Sequence, residues 1–119
     1  MSTQSLSEHD FENVADQTLR GLLDALDALD DGRMEASLQM GVLNIEYQDG
    51  TKYVVNSHRA AKQIWMAAER RAWHFDYDGA SGLWKASKDG SELLSTLEAV
   101  LSRKAGAPLK LEMKPSKNI

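Results

Sequence analysis

The chain has 119 residues, 42% hydrophobic and 27% charged, with no cysteine and a net charge of −4. That is the length of one domain, with enough apolar content for one core without disulfide or metal support. Disulfides, thiolate metal sites and a thiol nucleophile are excluded, the acidic balance disfavours nucleic acid as a partner, and no apolar run reaches the roughly 18 residues of a membrane span. The opening residues, Met1 to Glu8, lack a basic stretch followed by an apolar one, so a cytoplasmic protein is expected.

Ser5-x-x-Glu8 has capping-box spacing, which starts a first helix near Ser5 or Ser7. Phe11, Val14, Ala15, Leu19, Leu22, Leu26 and Leu29 follow at the spacing of one helical face, and the helix is expected to end near Asp31-Gly32. Gly21 weakens its middle by about 1 kcal/mol relative to alanine. Strands are expected at Met34–Gln39 and Val42–Gln48 around a tight turn at Met40-Gly41. Asp49-Gly50 is a two-residue hairpin signal into Thr51–Asn56. Ile64–Ala68, Ala72–Asp78 and Leu83–Ser87 complete the strands, with turns at Glu69-Arg70-Arg71 and Asp78 to Gly82. A second helix runs from Gly90-Ser91 to Lys104, with Leu93, Leu94, Leu97, Val100 and Leu101 on its apolar face and Ala105-Gly106 as its C-cap. Leu109, Leu111 and Met113 alternate, so the tail is expected to pack. Helix, six antiparallel strands, helix makes an α+β two-layer sandwich, both helices on one face of the sheet and the other face open to water or a partner.

Charge is divided along the chain. Residues 1–35 hold nine carboxylates against Arg20 and Arg33, a balance of −7, while the remainder is +3. At 100° per residue, Asp16, Asp24, Asp27 and Asp31 fall on the arc of the first helix opposite its apolar face, with Arg20 among them. Carboxylates on successive turns offer hard oxygen ligands to divalent or ferric ions without a closed cage, so metal bound there keeps water ligands. The same pattern also suits a solvated helix face. Like charges three and four residues apart destabilise a helix by a few tenths of a kcal/mol per pair, however, so a cluster this dense is worth explaining.

Trp65 alternates with Ile64 and Met66; if those two face the helices, Trp65 faces out. Trp73 and Phe75 share a parity and Trp84 lies on a neighbouring strand, so at least one of the three belongs to the core. His74 reads as a hydrogen-bonded surface residue. No nucleophile elbow, phosphate loop, H-E-x-x-H motif or paired carboxylates in a pocket are found, so the residues describe an interaction module rather than an enzyme.

Asn56, Gln63-Ile64-Trp65, Trp73-His74-Phe75-Asp76 and Leu83-Trp84, at their spacing from Gly41-Val42-Leu43 and Asp49-Gly50-Thr51-Lys52, resemble the signature of the bacterial frataxin homologues over about Phe11 to Leu111. His58 and Ala60 stand where members usually carry Gln and Pro, and Arg71-Ala72 where they often carry Gly-Gly. The resemblance implies a small protein that binds iron, ferrous or ferric, weakly at surface carboxylates and modulates iron–sulfur cluster assembly. Asp16, Asp24, Asp27, Asp30 and Glu35 fall on family carboxylates and Asp31 is displaced by one position, whereas Ala28 and Ser37 replace acids. It also implies docking to a cysteine desulfurase and the cluster scaffold protein through this ridge and through an exposed Trp65, with Asn56, Lys62 and Gln63 around it. A monomer is expected, with metal-driven oligomers as the alternative state. Rival readings are a metal-independent regulator of the desulfurase and a ferroxidase or iron-storage protein; the latter needs a dinuclear site, for which no Glu-x-x-His pair is present.

Overall fold

The computed structural model describes residues 6–29 and 31–113. In chain order the elements are α1 (Glu8–Ala28), β1 (Met34–Gln39), β2 (Val42–Tyr47), β3 (Lys52–His58), β4 (Gln63–Ala68), β5 (Arg71–Asp78), β6 (Leu83–Ala86) and α2 (Leu93–Ala105). The strands form one antiparallel meander in the order β1-β2-β3-β4-β5-β6. Both helices bury their apolar faces against the same side of it, giving the expected α+β sandwich.

α1 is capped by Ser7, whose hydroxyl accepts from the Asp10 N–H at 3.0 Å. Glu8 is therefore the first helical residue rather than the third, so it cannot close the box anticipated from Ser5, which lies outside the described residues. The helix also ends earlier than Asp31-Gly32: Leu29 is its C-cap. Phe11, Ala15, Leu19, Leu22, Ala25 and Leu26 are buried along one stripe. Thr18 fastens this stripe to the far strand, accepting from Trp84 Nε1 at 3.0 Å, while Phe11 meets the Trp84 ring edge-on at 6.0 Å. α2 starts after Glu92, whose carboxylate accepts from the Leu94 and Ser95 N–H groups, and ends at Gly106 with φ +76. Its start is thus two or three residues later than Gly90-Ser91, because a Glu side chain reaches the free N–H groups from position 92.

The hairpin turns differ from expectation in an instructive way. Met40-Gly41 and Glu69-Arg70 are two-residue turns with both residues at positive φ, +52/+77 and +55/+64. That backbone suits the right-handed strand twist, so tertiary pairing holds three non-glycine residues in a region they seldom enter. Asp49-Gly50 is not a two-residue connection. Only Gly50 has positive φ, Gly50 N–H donates to Tyr47 O, and Tyr47 N–H donates to Thr51 O, so the loop carries a type I turn followed by a glycine bulge.

Inward positions of the central strands, Leu43, Ile45, Val55, Ile64, Met66, Trp73 and Phe75, are all buried, as are Trp84 on β6 and Leu97, Val100 and Leu101 on α2. All three aromatics of the Trp73, Phe75 and Trp84 group therefore belong to the core. The tail seals it. Leu111 is buried, its N–H donating to Glu98 at 2.8 Å, and Leu109 is tied to Ser102. Met113 lies so close over Gly21 that a Cβ there would stand 2.8 Å from the Met113 methyl. Gly21 weakens its helix and makes room for the end of the chain.

Candidate acidic ridge and open sheet face

The ridge is built from α1, the connection after it, and β1. Asp16, Asp24 and Asp27 are exposed on the solvent side of α1. Asp16 is engaged by Arg20, one turn on, at 2.9 Å, with both side chains more than half exposed. Asp31 sits in the link to β1 and accepts from the Arg33 N–H at 3.0 Å and from its guanidinium at 3.2 Å, contacts that hold its carboxyl below its ordinary range. Glu35 is exposed on β1 directly opposite Glu46 on β2. Like charges paired across strands are unfavourable. A shallow cleft of about 360 Å³ brings Asp27, Asp31 and Glu35 together against Leu26 and Met34. Asp16 and Asp24 lie further along the helix, and Asp30 falls outside the described residues. Among those residues no three His, Asp or Glu side chains converge as a ready coordination shell. The donor chemistry suits a hard cation with much of its water retained, not a closed cage.

The open face is organised around Trp65. Its indole is sandwiched between His58 on β3, with ring centroids 3.8 Å apart and planes 12° apart, and His74 on β5, at 4.3 Å and 17°. Trp65 Nε1 donates to Gln63 Oε1 at 2.8 Å, and the Gln63 amide donates to Asp76 at 3.0 Å. Asn56 is the β3 register partner of Trp65 and donates to Ser57 O at 3.2 Å. His58 Nδ1 accepts from the Ala61 N–H at 3.3 Å. Both faces of the indole are thus covered, and its plane is held by the two imidazoles.

The structure brings Asn56, Gln63 and Trp65 together on this face. Lys62 is placed otherwise. Its ammonium donates to Leu6 O at 2.6 Å, and with the Arg59–Glu12 pair at 2.9 Å it ties the β3–β4 turn to the start of α1. The two histidines are the members of this group that sequence reasoning missed. The parity of His74 against Trp73 and Phe75 places it outward, and the outward position of His58 follows from Asn56; the unread quantity was the register that sets them on either side of Trp65.

A family profile described as a frataxin-like domain matches residues 4–107. The iron–sulfur cluster assembly protein CyaY of Dechloromonas aromatica is 37% identical over 106 residues, covering 89% of this chain and 99% of that protein. Its counterpart in Thioalkalivibrio sulfidiphilus is 36% identical over 109 residues, 89% and 100% of the two chains. Among solved structures, the frataxin of Psychromonas ingrahamii superposes with a TM-score of 0.80 over 88% of this chain and 97% of that one; at 21% identity it speaks for the fold. A trimeric frataxin of the yeast Saccharomyces cerevisiae, crystallised with ferrous iron, has a TM-score of 0.66 and 26% identity over 86% and 88% of the two chains. With profile, relatives and fold in agreement, the chain belongs to the frataxin-like family.

Proposed function

We propose that this protein acts in iron–sulfur cluster assembly as a non-catalytic regulator that binds iron at its acidic ridge and docks there onto a cysteine desulfurase, with the Trp65 face meeting the desulfurase or the scaffold. The observation that carries the iron reading is the cleft uniting Asp27, Asp31 and Glu35 at the end of an exposed acidic helix face. An acidic ridge also suits a basic protein surface, where opposed potentials speed encounter and fix orientation. The names of the bacterial relatives support the pathway, and the ferrous complex of the yeast frataxin supports the metal.

The experiment is a backbone NMR titration with ferrous iron under anaerobic conditions, followed by desulfurase. Broadening should centre on Asp24, Asp27, Asp31 and Glu35 and fade in high salt, since exposed charges are screened. Broadening centred on His58 and His74 would sink the ridge assignment. A second reading, metal-independent docking, is favoured by the engagement of Asp16 and Asp31 with arginines, which leaves fewer free carboxylates for a metal. Desulfurase binding and modulation unchanged by a chelator would select it.

A further inference from the structure

The sheet leaves a gap at one end of β5, away from the ridge. β6 pairs with β5 only from Asp78↔Leu83 to Phe75↔Ala86. It stops because residues 87–90 turn back, the Gly90 N–H donating to Ala86 O at 2.8 Å with Gly90 at φ +78. Continued in register, β6 would have set Lys88 opposite Trp73. Arg71–His74 instead pair with β4 on one side, and among the described residues no strand pairs with them on the other. An open strand edge is a template for another extended chain. The gap is a groove of about 540 Å³ lined by Arg71, Trp73, His74, Ala86, Lys88 and Asp89.

Its charges select the occupant. The Arg71 guanidinium lies 4.5 Å over the Trp73 ring. A guanidinium held over a ring keeps N–H groups that can face a carboxylate. Lys88 is exposed on the turn that ends β6, and Arg70 adds a cation in the adjoining β4–β5 turn. The lining carboxylate, Asp89, is turned to its own loop, accepting from Ser91 N–H at 2.9 Å and Ser91 Oγ at 2.7 Å. The opposite edge of the sheet, β1, carries Glu35 and adjoins the ridge, so the two edges attract opposite charges.

We propose that the groove binds an extended acidic peptide segment of another protein, added as a strand along Arg71–His74 with its carboxylates paired to Arg71 and Lys88. Four residues at about 3.3 Å each give a contact about 13 Å long, in the manner of strand addition, where backbone bonds hold the segment and side chains select it.

The test is an NMR titration of the isotope-labelled protein with a capped peptide of alternating glutamate and valine, six residues long, and with its lysine–valine counterpart. Saturable shifts are expected at Arg71–His74 and Ala86–Asp89, with slowed amide exchange at Ala72 and His74, whose N–H groups alternate with those facing β4, for the glutamate peptide alone. Arg71→Glu with Lys88→Glu should weaken binding at least tenfold, while Asp24→Asn with Asp27→Asn on the ridge leaves it unchanged. Should the double reversal disturb folding, Lys88→Glu alone, in an exposed turn, should still weaken binding several-fold. The proposal is overturned by no saturable shift at millimolar peptide, by equal binding of the lysine peptide, or by shifts centred on the β1 edge or on Trp65. It is likewise overturned if the molecular mass grows with concentration through this edge, which would assign the groove to a second copy of the chain.

Discussion

The two faces of the sheet are made by the same six strands, and they are held together differently. On the inner face Leu43, Ile45, Val55, Ile64 and Phe75 are fully buried by helices arriving from both ends of the chain. On the outer face the half-buried residues Val54, Asn56, His58 and Trp65 have no layer above them among the described residues; the three-ring stack and side-chain hydrogen bonds to near neighbours hold them. Inner side chains are fixed by the whole fold, outer ones by their strand neighbours. A face organised by neighbours alone can hold a shape for a partner while contributing modestly to stability.

The largest expected effect is on the inner side. Phe75→Ala leaves a cavity under both helices and should cost about 3–5 kcal/mol, measured by urea titration. A loss below 1 kcal/mol would mean that the inner face is loosely packed. Trp65→Ala removes two stacked contacts without opening a cavity, and each aromatic pair contributes roughly 0.5–1.5 kcal/mol, so a loss of about 2 kcal/mol is expected. A cost equal to that of Phe75→Ala would erase the distinction between the faces.

The rim supplies a third, pH-dependent contribution. Asp49 is held well below the ordinary carboxylate range by the Lys104 ammonium and the Thr51 N–H, and Glu69 is lowered by the Arg103 guanidinium, which it meets at 2.7 and 2.8 Å. Depressed folded values mean that the stability from these groups is fully present above their unfolded values, 3.8 and 4.5, and is lost as pH falls through the folded ones. Urea midpoints should therefore be level above about pH 5 and fall below about pH 4. Asp49→Asn should flatten part of that fall; an unchanged profile would remove Asp49 from the account. The smallest effect is on the ridge. Asp24→Asn with Asp27→Asn relieves a repulsion three residues apart, and melting should rise by roughly 1–3 °C. Asp31 is best kept out of that variant, since it holds the Arg33 backbone. A marked fall on changing Asp24 and Asp27 would show that they are structural.

Both helices, six strands and the inward parity of Ile64 and Met66 were legible in the sequence, because periodicity is written in consecutive residues. The shared cleft of Asp27, Asp31 and Glu35 was legible only as an acidic tendency, since the turn after α1 decides which of them meet. Lys62 reads as a neighbour of Trp65 by its number, yet its positive φ of +54 and its bond to Leu6 place its ammonium against the start of α1. The imidazole sandwich needs two registers at once, across β3–β4 and β4–β5, and the gap beside Arg71 exists because β6 ends four residues before Gly90. Neither is encoded in a local pattern; both follow from where strands stop and what they face.

The contact of Met113 with Gly21 has a consequence for how the molecule is made. Ninety-two positions separate the two residues, so α1 is synthesised well before the segment that packs over it. A nascent chain carrying α1 and the early strands has the stripe from Phe11 to Leu26 and no tail to close over it. Contacts this distant in sequence slow folding, because the intervening loop must be ordered before they form. Between the synthesis of the helix and that of the segment that packs over it, the apolar side of α1 is the surface that a chaperone or a neighbouring nascent chain would meet.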